Sequence, residues 1–263
     1  MTFDPATASD HEFAAWLAEQ AGARLLEVRE TSGREGRELK DAGDAAAQVL
    51  MAELLGLHRP HDAVLSEEAI ETHGDSGRLT ADRVWIIDPL DGTREFSEPP
   101  RDDWAVHVAL WSDGSLVAGA VAQPALGETF HTGAAPVVPG LDEPDHRAGR
   151  PPRIAVSRSR PPAFVSALAE ELGAELVPMG SAGVKMMSVV RDVADAYVHA
   201  GGQYEWDSAA PVAVAAAAGL HTSRVDGSPL VYNRADPYLP DVVVCRPALA
   251  GPILEFIARH GTE

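Results

Sequence analysis

Residues Val84 to Thr93 read V-W-I-I-D-P-L-D-G-T, and no other segment constrains the fold as much. Four apolar residues form a candidate buried strand that runs into two aspartates three positions apart. Pro89 fixes its own φ and biases Asp88 toward an extended backbone. Gly92 permits a tight turn, so both carboxylates can point to one spot beyond the strand end. Asp-Pro and Asp-Gly are also ordinary turn dipeptides, and for the pair alone a solvated turn is the simpler reading.

The other acids shift that balance. Glu67 and Glu68 follow a candidate strand over Ala63 to Ser66, and Asp207 follows Trp206 at the start of an alanine-rich helix. Asp207 can also serve as the N-cap of that helix, with Pro211 tolerated in its first turn. Three acid clusters at strand ends suit two or three Mg²⁺ ions about 4 Å apart, an arrangement that activates water and clamps a phosphoryl group.

Charge points the same way. Lys plus Arg is 21 and Asp plus Glu is 40, a formal net charge of −19. Such a chain repels polyanions, which argues against a nucleic-acid polymer or an anionic membrane as partner. Any phosphate ligand needs a local cation, and hard divalent cations take oxygen ligands. Cys245 is the only cysteine, so an intrachain disulfide is excluded, and with no export signal at the start the expectation is a cytoplasmic protein. Cys245 lies in the run VVVC and reads as core.

Along the chain, Phe13, Trp16, Leu17, Ala21, Leu25 and Val28 recur at helical spacing behind Ser9 and Asp10. Thr31 to Gly43 is rich in glycine and charge and reads as a loop, after which Asp44 is the expected N-cap of a second helix buried along Leu50, Leu54 and Leu57. Strands are expected over 63–66, 84–87, 105–111, 116–122 and 129–132, with Asp113-Gly114 as a hairpin turn. A Pro-rich stretch, 136–152, divides an N-terminal α+β half (1–135) from a C-terminal α/β half (153–263). There, strands are expected over 154–157, 175–178, 196–200 and 242–245, and helices over 163–172, 182–191, 208–218 and to His260. His107 and His199 alternate with apolar residues and read as structural.

Ser66-Glu67-Glu68, Asp88 to Thr93 and Trp206-Asp207-Ser208-Ala209-Ala210, in that order, resemble the three motifs of the inositol monophosphatase superfamily of Mg²⁺-dependent, Li⁺-sensitive phosphomonoesterases. The similarity continues through Val106 to Phe130. It implies a layered αβαβα sandwich of α+β or α/β class and, commonly, a homodimer. It also implies metal ligands at Glu67, Asp88, the Leu90 carbonyl, Asp91 and Asp207. Thr93, Asp44 and Glu67 are implied as catalytic, with Thr93 positioning the attacking water and Asp44 partnering Thr93. Asp41 competes with Asp44 for that part. The N–H groups of Gly92 and Thr93 are implied to hold the phosphate.

Within the superfamily, Thr93-Arg94-Glu95-Phe96, Ser157-Arg158-Ser159 and Ala182-Gly183-Val184-Lys185 are similar to the 3′(2′),5′-bisphosphate nucleotidase branch. The branch implies hydrolysis of the 3′-phosphate of 3′-phosphoadenosine 5′-phosphate, a by-product of sulfate assimilation, by direct attack of water. Ser157, Arg158, Ser181 and Lys185 are then expected to bind substrate, with Arg158 and Lys185 supplying charge for the second phosphate. Inositol 1-phosphate or fructose 1,6-bisphosphate as substrate remain alternatives. So do a non-catalytic Mg²⁺ or nucleotide sensor and a glycosidase using Glu67 and Asp91, in which the Asp-Gly-Thr turn would have no role.

Overall fold

The computed structural model describes residues 3–73, 77–141, 143, 149–159 and 161–262. Ser9 opens helix α1 (Asp10–Thr31) through a capping box with Glu12, which satisfies two orphan N–H donors and fixes where the helix begins. Helix α2 (Gly36–His58) follows almost at once. The loop expected over Thr31 to Gly43 is therefore mostly helix, and Asp44 sits inside α2 rather than capping it. The charges that suggested a loop lie on the solvent face, where Arg37 and Asp41 pair one turn apart. The buried stripe is Leu39, Gly43, Ala47, Met51 and Leu55. Leu50 and Leu54 are only partly buried, and Leu57 is 70% exposed.

Strands β1 (Ala63–Leu65), β2 (Arg83–Asp91), β3 (Ala105–Ser112), β4 (Ser115–Gln123) and β5 (Glu128–His131) form one sheet in chain order. Between them lie two short helices, α3 (Glu67–His73), absent from the sequence expectation, and α4 (Thr93–Phe96), which begins at the phosphate-holding turn that the family resemblance implies. Asp113 and Gly114 both take positive φ, 51° and 82°, giving the expected tight β3–β4 hairpin. A second sheet runs in the order β7 (Glu175–Met179), β6 (Arg153–Ser157), β8 (Ala196–Tyr204), β10 (Tyr238–Cys245) and β9 (His221–Ser223). It is parallel at β7–β6–β8 and antiparallel at β8–β10–β9. Of the Pro-rich stretch, residues 142 and 144–148 lie outside the described residues.

Alternation along the strands sorts the core into layers. Trp85 and Ile87 of β2, with Val106, Val108 and Leu110 of β3, pack against α1 and α2. Val84, Ile86, Ala105 and Ala109 face the other way, onto helices α6 (Ala182–Val190) and α7 (Glu205–Ala217), which also cover Ala155, Val242 and Val244 of the second sheet. The far side of that sheet, including Cys245, packs on α5 (Ala163–Leu172) and α8 (Pro247–His260). The result is helix, sheet, helix, sheet, helix, the αβαβα sandwich expected. Small residues set the central spacing: a Cβ on Gly119 of β4 would stand 2.7 Å from the Ala213 Cβ of α7. Cys245 is fully buried with its thiol pushed up to about 12 by burial, as a core residue. Among the described residues, no helix is long and apolar enough to cross a membrane.

Candidate active site

Asp88 and Asp91, three apart on one strand, would ordinarily point to opposite faces. Asp88 pairs with His107 and Asp91 with Ala105, so β2 carries one residue more than β3 between them. That bulge restores parity and turns both carboxylates to the same side. Pro89 has no N–H to give the ladder, which suits it to a bulge. The Asp88 Oδ1 accepts from the Leu90 N–H at 3.0 Å, closing the local turn.

The third acid arrives from the second sheet. Helix α7 begins one residue after β8 ends, and Asp207 is its third residue rather than its N-cap, the part that Tyr204 plays. The Asp207 Oδ2 accepts from the Tyr204 N–H at 2.6 Å, which fixes the carboxylate at the helix start. Pro211 consequently lies inside α7 and not in its first turn. Asp88, Asp91 and Asp207 each offer an oxygen within 4.8 Å of the others.

Asp91 is the most firmly held. Its Oδ2 accepts from Ser181 Oγ at 2.5 Å and from the Gly183 N–H at 2.6 Å, and its Oδ1 accepts from the Ala182 N–H at 3.1 Å. These donors belong to the N-terminus of α6, whose dipole also favours a negative charge there. His107, expected to be merely structural, brings its Nε2 within 3.2 Å of Asp91 Oδ2. The one signal for it in the sequence is a polar side chain in the otherwise apolar run AVHVAL.

These three acids line a cavity of about 170 Å³ together with Asp44, Glu67, Glu68, Gly92, Thr93 and Trp206. Asp44 reaches it because Gly43, one residue before, lets α2 approach α4: a Cβ there would stand 2.5 Å from the Phe96 ring. Asp41 faces solvent with Arg37 and does not line the cavity. Glu67, the first residue of α3, lines the cavity but stands outside the close triad. Gly92 takes φ of 84° as the cap of α4, and a Cβ there would stand 3.0 Å from the Ser181 Cβ and 3.2 Å from the Asp103 carbonyl, so a side chain would meet both backbone strain and crowding.

Of the expected substrate residues, Gly92 and Thr93 line this cavity, whereas Ser157, Arg158, Ser181 and Lys185 are not in its lining. Ser181 supports Asp91, and Lys185 is buried on α6 with its ammonium 5.3 Å from the centre of the Tyr197 ring. Ser157 ends β6. Arg158, expected as a cation for a second phosphate, is held by Glu95 Oε1 and Glu98 Oε2, each at 2.7 Å, and ties the second half of the chain to α4 and the turn after it.

Crowded carboxylates resist ionising together. Burial first, then Asp91 and Asp207, keep the Asp88 carboxyl well above the usual range. Burial and Asp91 raise Asp207 to about 6, and burial with Glu68 and Glu67 raises Asp44 to about 6. Burial also opposes ionisation of Asp91, but His107, Ser181 and Gly183 outweigh it and hold the group at about 2. Burial likewise lowers the Lys185 ammonium against the pull of Asp91 and Glu95. All-oxygen donors, one buried and two half-buried, that repel one another fit a hard divalent cation, whose charge would relieve the repulsion.

Residues 4–250 match the description of the inositol monophosphatase family. The 3′-phosphoadenosine 5′-phosphate phosphatase of Mycobacterium bovis is 51% identical over 251 residues, covering 90% of this chain and 89% of that protein. The 3′(2′),5′-bisphosphate nucleotidase CysQ of Escherichia coli is 29% identical over 233 residues, 85% of this chain and 94% of that one. Among solved structures, inositol monophosphatase-II of Staphylococcus aureus superimposes with a TM-score of 0.77 at 22% identity, over 95% of this chain and 94% of its own.

Proposed function

The chain belongs to the inositol monophosphatase family and is a phosphoric monoester hydrolase, and we propose that it adds water across the 3′-phosphate ester of 3′-phosphoadenosine 5′-phosphate, giving AMP and inorganic phosphate. What carries the choice of substrate is the 51% identity to a protein of that name along nearly the whole chain.

The proposed ligands are Glu67, Asp88, the Leu90 carbonyl, Asp91 and Asp207, holding two or three Mg²⁺. Bound there, the cations neutralise the phosphoryl oxygens and make water a better nucleophile. The side chains do the rest. The Thr93 hydroxyl orients the attacking water, and Asp44, with a carboxyl near 6, receives the proton relayed through it. The Gly92 and Thr93 N–H groups donate to the phosphate, and the ribose 3′-oxygen leaves on the side opposite the water and takes a proton from solvent to become the 3′-hydroxyl of AMP. Lys185 and Arg158 serve the second phosphate, with the latter sharing its guanidinium between that group and Glu95 and Glu98.

The test is phosphate release by the purified protein with Mg²⁺ from 3′-phosphoadenosine 5′-phosphate, inositol 1-phosphate and fructose 1,6-bisphosphate, each with and without Li⁺. The adenosine compound is expected to be preferred, and Asp91→Asn is expected to fold but not turn over. Preference for either of the other two would overturn the substrate, and full activity in Asp91→Asn would overturn the site.

A further inference from the structure

We infer that His107 is a positioning residue that sets the separation of Asp91 and Asp207 by bridging the elements that deliver them. The inference rests on the metal-dependent reading above. His107 is fully buried in β3, where it pairs with Asp88 across the ladder. Its Nε2 stands 3.2 Å from Asp91 Oδ2, and its Nδ1 stands 3.1 Å from the Trp206 carbonyl, one residue before Asp207. A carbonyl only accepts, so Nδ1 carries a hydrogen toward it. One imidazole thus touches the end of β2 on one side and the start of α7 on the other.

Packing reserves this place. A Cβ on Gly183 would fall 2.0 Å from the His107 Nε2, so α6 keeps a glycine opposite the ring. The neighbours Val106 and Val108 fill the opposite face with apolar side chains. A polar ring buried beside them is costly unless its nitrogens have partners: Nδ1 hydrogen-bonds to the Trp206 carbonyl, and Nε2, which makes no aligned hydrogen bond among the described residues, lies within ion-pair distance of Asp91 Oδ2.

The experiment is titration of the metal-free full chain with Mg²⁺ by calorimetry, for the parent and for His107→Leu, His107→Asn and His107→Gln. Leucine removes both contacts. The Asn amide reaches only as far as Nδ1 and keeps the Trp206 contact, whereas the Gln amide reaches Asp91. Partners that orient ligating groups are worth about 10–100-fold in metal affinity, so Leu is expected to weaken Mg²⁺ binding by about that factor, and Asn and Gln by less. The KM for nucleotide at saturating Mg²⁺ is expected to stay unchanged. A purely structural role would lower the melting temperature of the metal-free variants and leave their Mg²⁺ affinity alone, which would overturn the inference. If His107→Leu does not fold, parental Mg²⁺ affinity in both Asn and Gln overturns it equally. A parent that binds no Mg²⁺ overturns the metal-dependent reading itself and takes this inference with it.

Discussion

Asp91 and Thr93 divide two tasks that their neighbouring positions would not suggest. Asp91 spends both oxygens on donors from α6 and is held ionised at about 2, so it presents fixed negative charge. Thr93, two residues on, opens a short helix behind a left-handed glycine and, among the described residues, carries the only hydroxyl in the cavity lining. Thr93→Ala is expected to lower kcat by about 10²–10⁴-fold, the usual span for a lost proton relay, with KM and Mg²⁺ affinity little changed. Steady-state rates over a range of Mg²⁺ concentrations check this. A variant that loses Mg²⁺ affinity but keeps kcat would place Thr93 among the metal-binding groups instead. At this scale the acids were readable because Pro89 and Gly92 announce their own backbone requirements. The partners of His107 and Arg158 were not, because a residue's partner across a sheet or between layers leaves no mark in its local spacing.

The second helix shows what patterning misses at the level of an element. Glycine and charge between Thr31 and Gly43 resemble a loop, yet Gly43 is there for contact and the charges are there for solvent. Read from Leu39, the same residues give an unbroken stripe at every fourth position. Helix α3 escaped because seven residues carry too little period to detect. The close approach at Gly43 makes a prediction. Gly43→Val is expected to push α2 off the Phe96 ring, cost about 1–3 kcal/mol of stability and draw Asp44 away from Thr93. Denaturant midpoints and kcat measured together decide the matter: a variant that loses stability but keeps full kcat would separate Asp44 from the relay.

Across the whole molecule, the acidic site sets stability against function. Asp44 and Asp207 hold protons up to about 6, whereas the unfolded chain releases them near the ordinary value of 3.8. Their contribution is therefore complete below about pH 4 and is lost as pH rises through about 6. Metal-free protein is expected to melt at a lower temperature at about pH 7 than at about pH 5 as far as these groups decide it. Mg²⁺ is expected to reverse the loss at the higher pH, by about 2.7 kcal/mol at a hundredfold excess over its dissociation constant. Calorimetric melting with Mg²⁺ or with a chelator checks both signs, and an equal Mg²⁺ effect at the two pH values would contradict them. The layered architecture itself was implied by motif resemblance. Composition and periodicity reached only a mixture of helices and strands, since which face meets which layer depends on contacts between distant segments.

The triad has a consequence for how the protein is made. Asp88 and Asp91 end a strand of the first sheet, and Asp207 begins a helix that follows a strand of the second. On the ribosome the first two acids emerge long before the third. A growing chain therefore carries two of the three acids through much of its synthesis, and a cation could find the full set of oxygens only when the closing layers are in place.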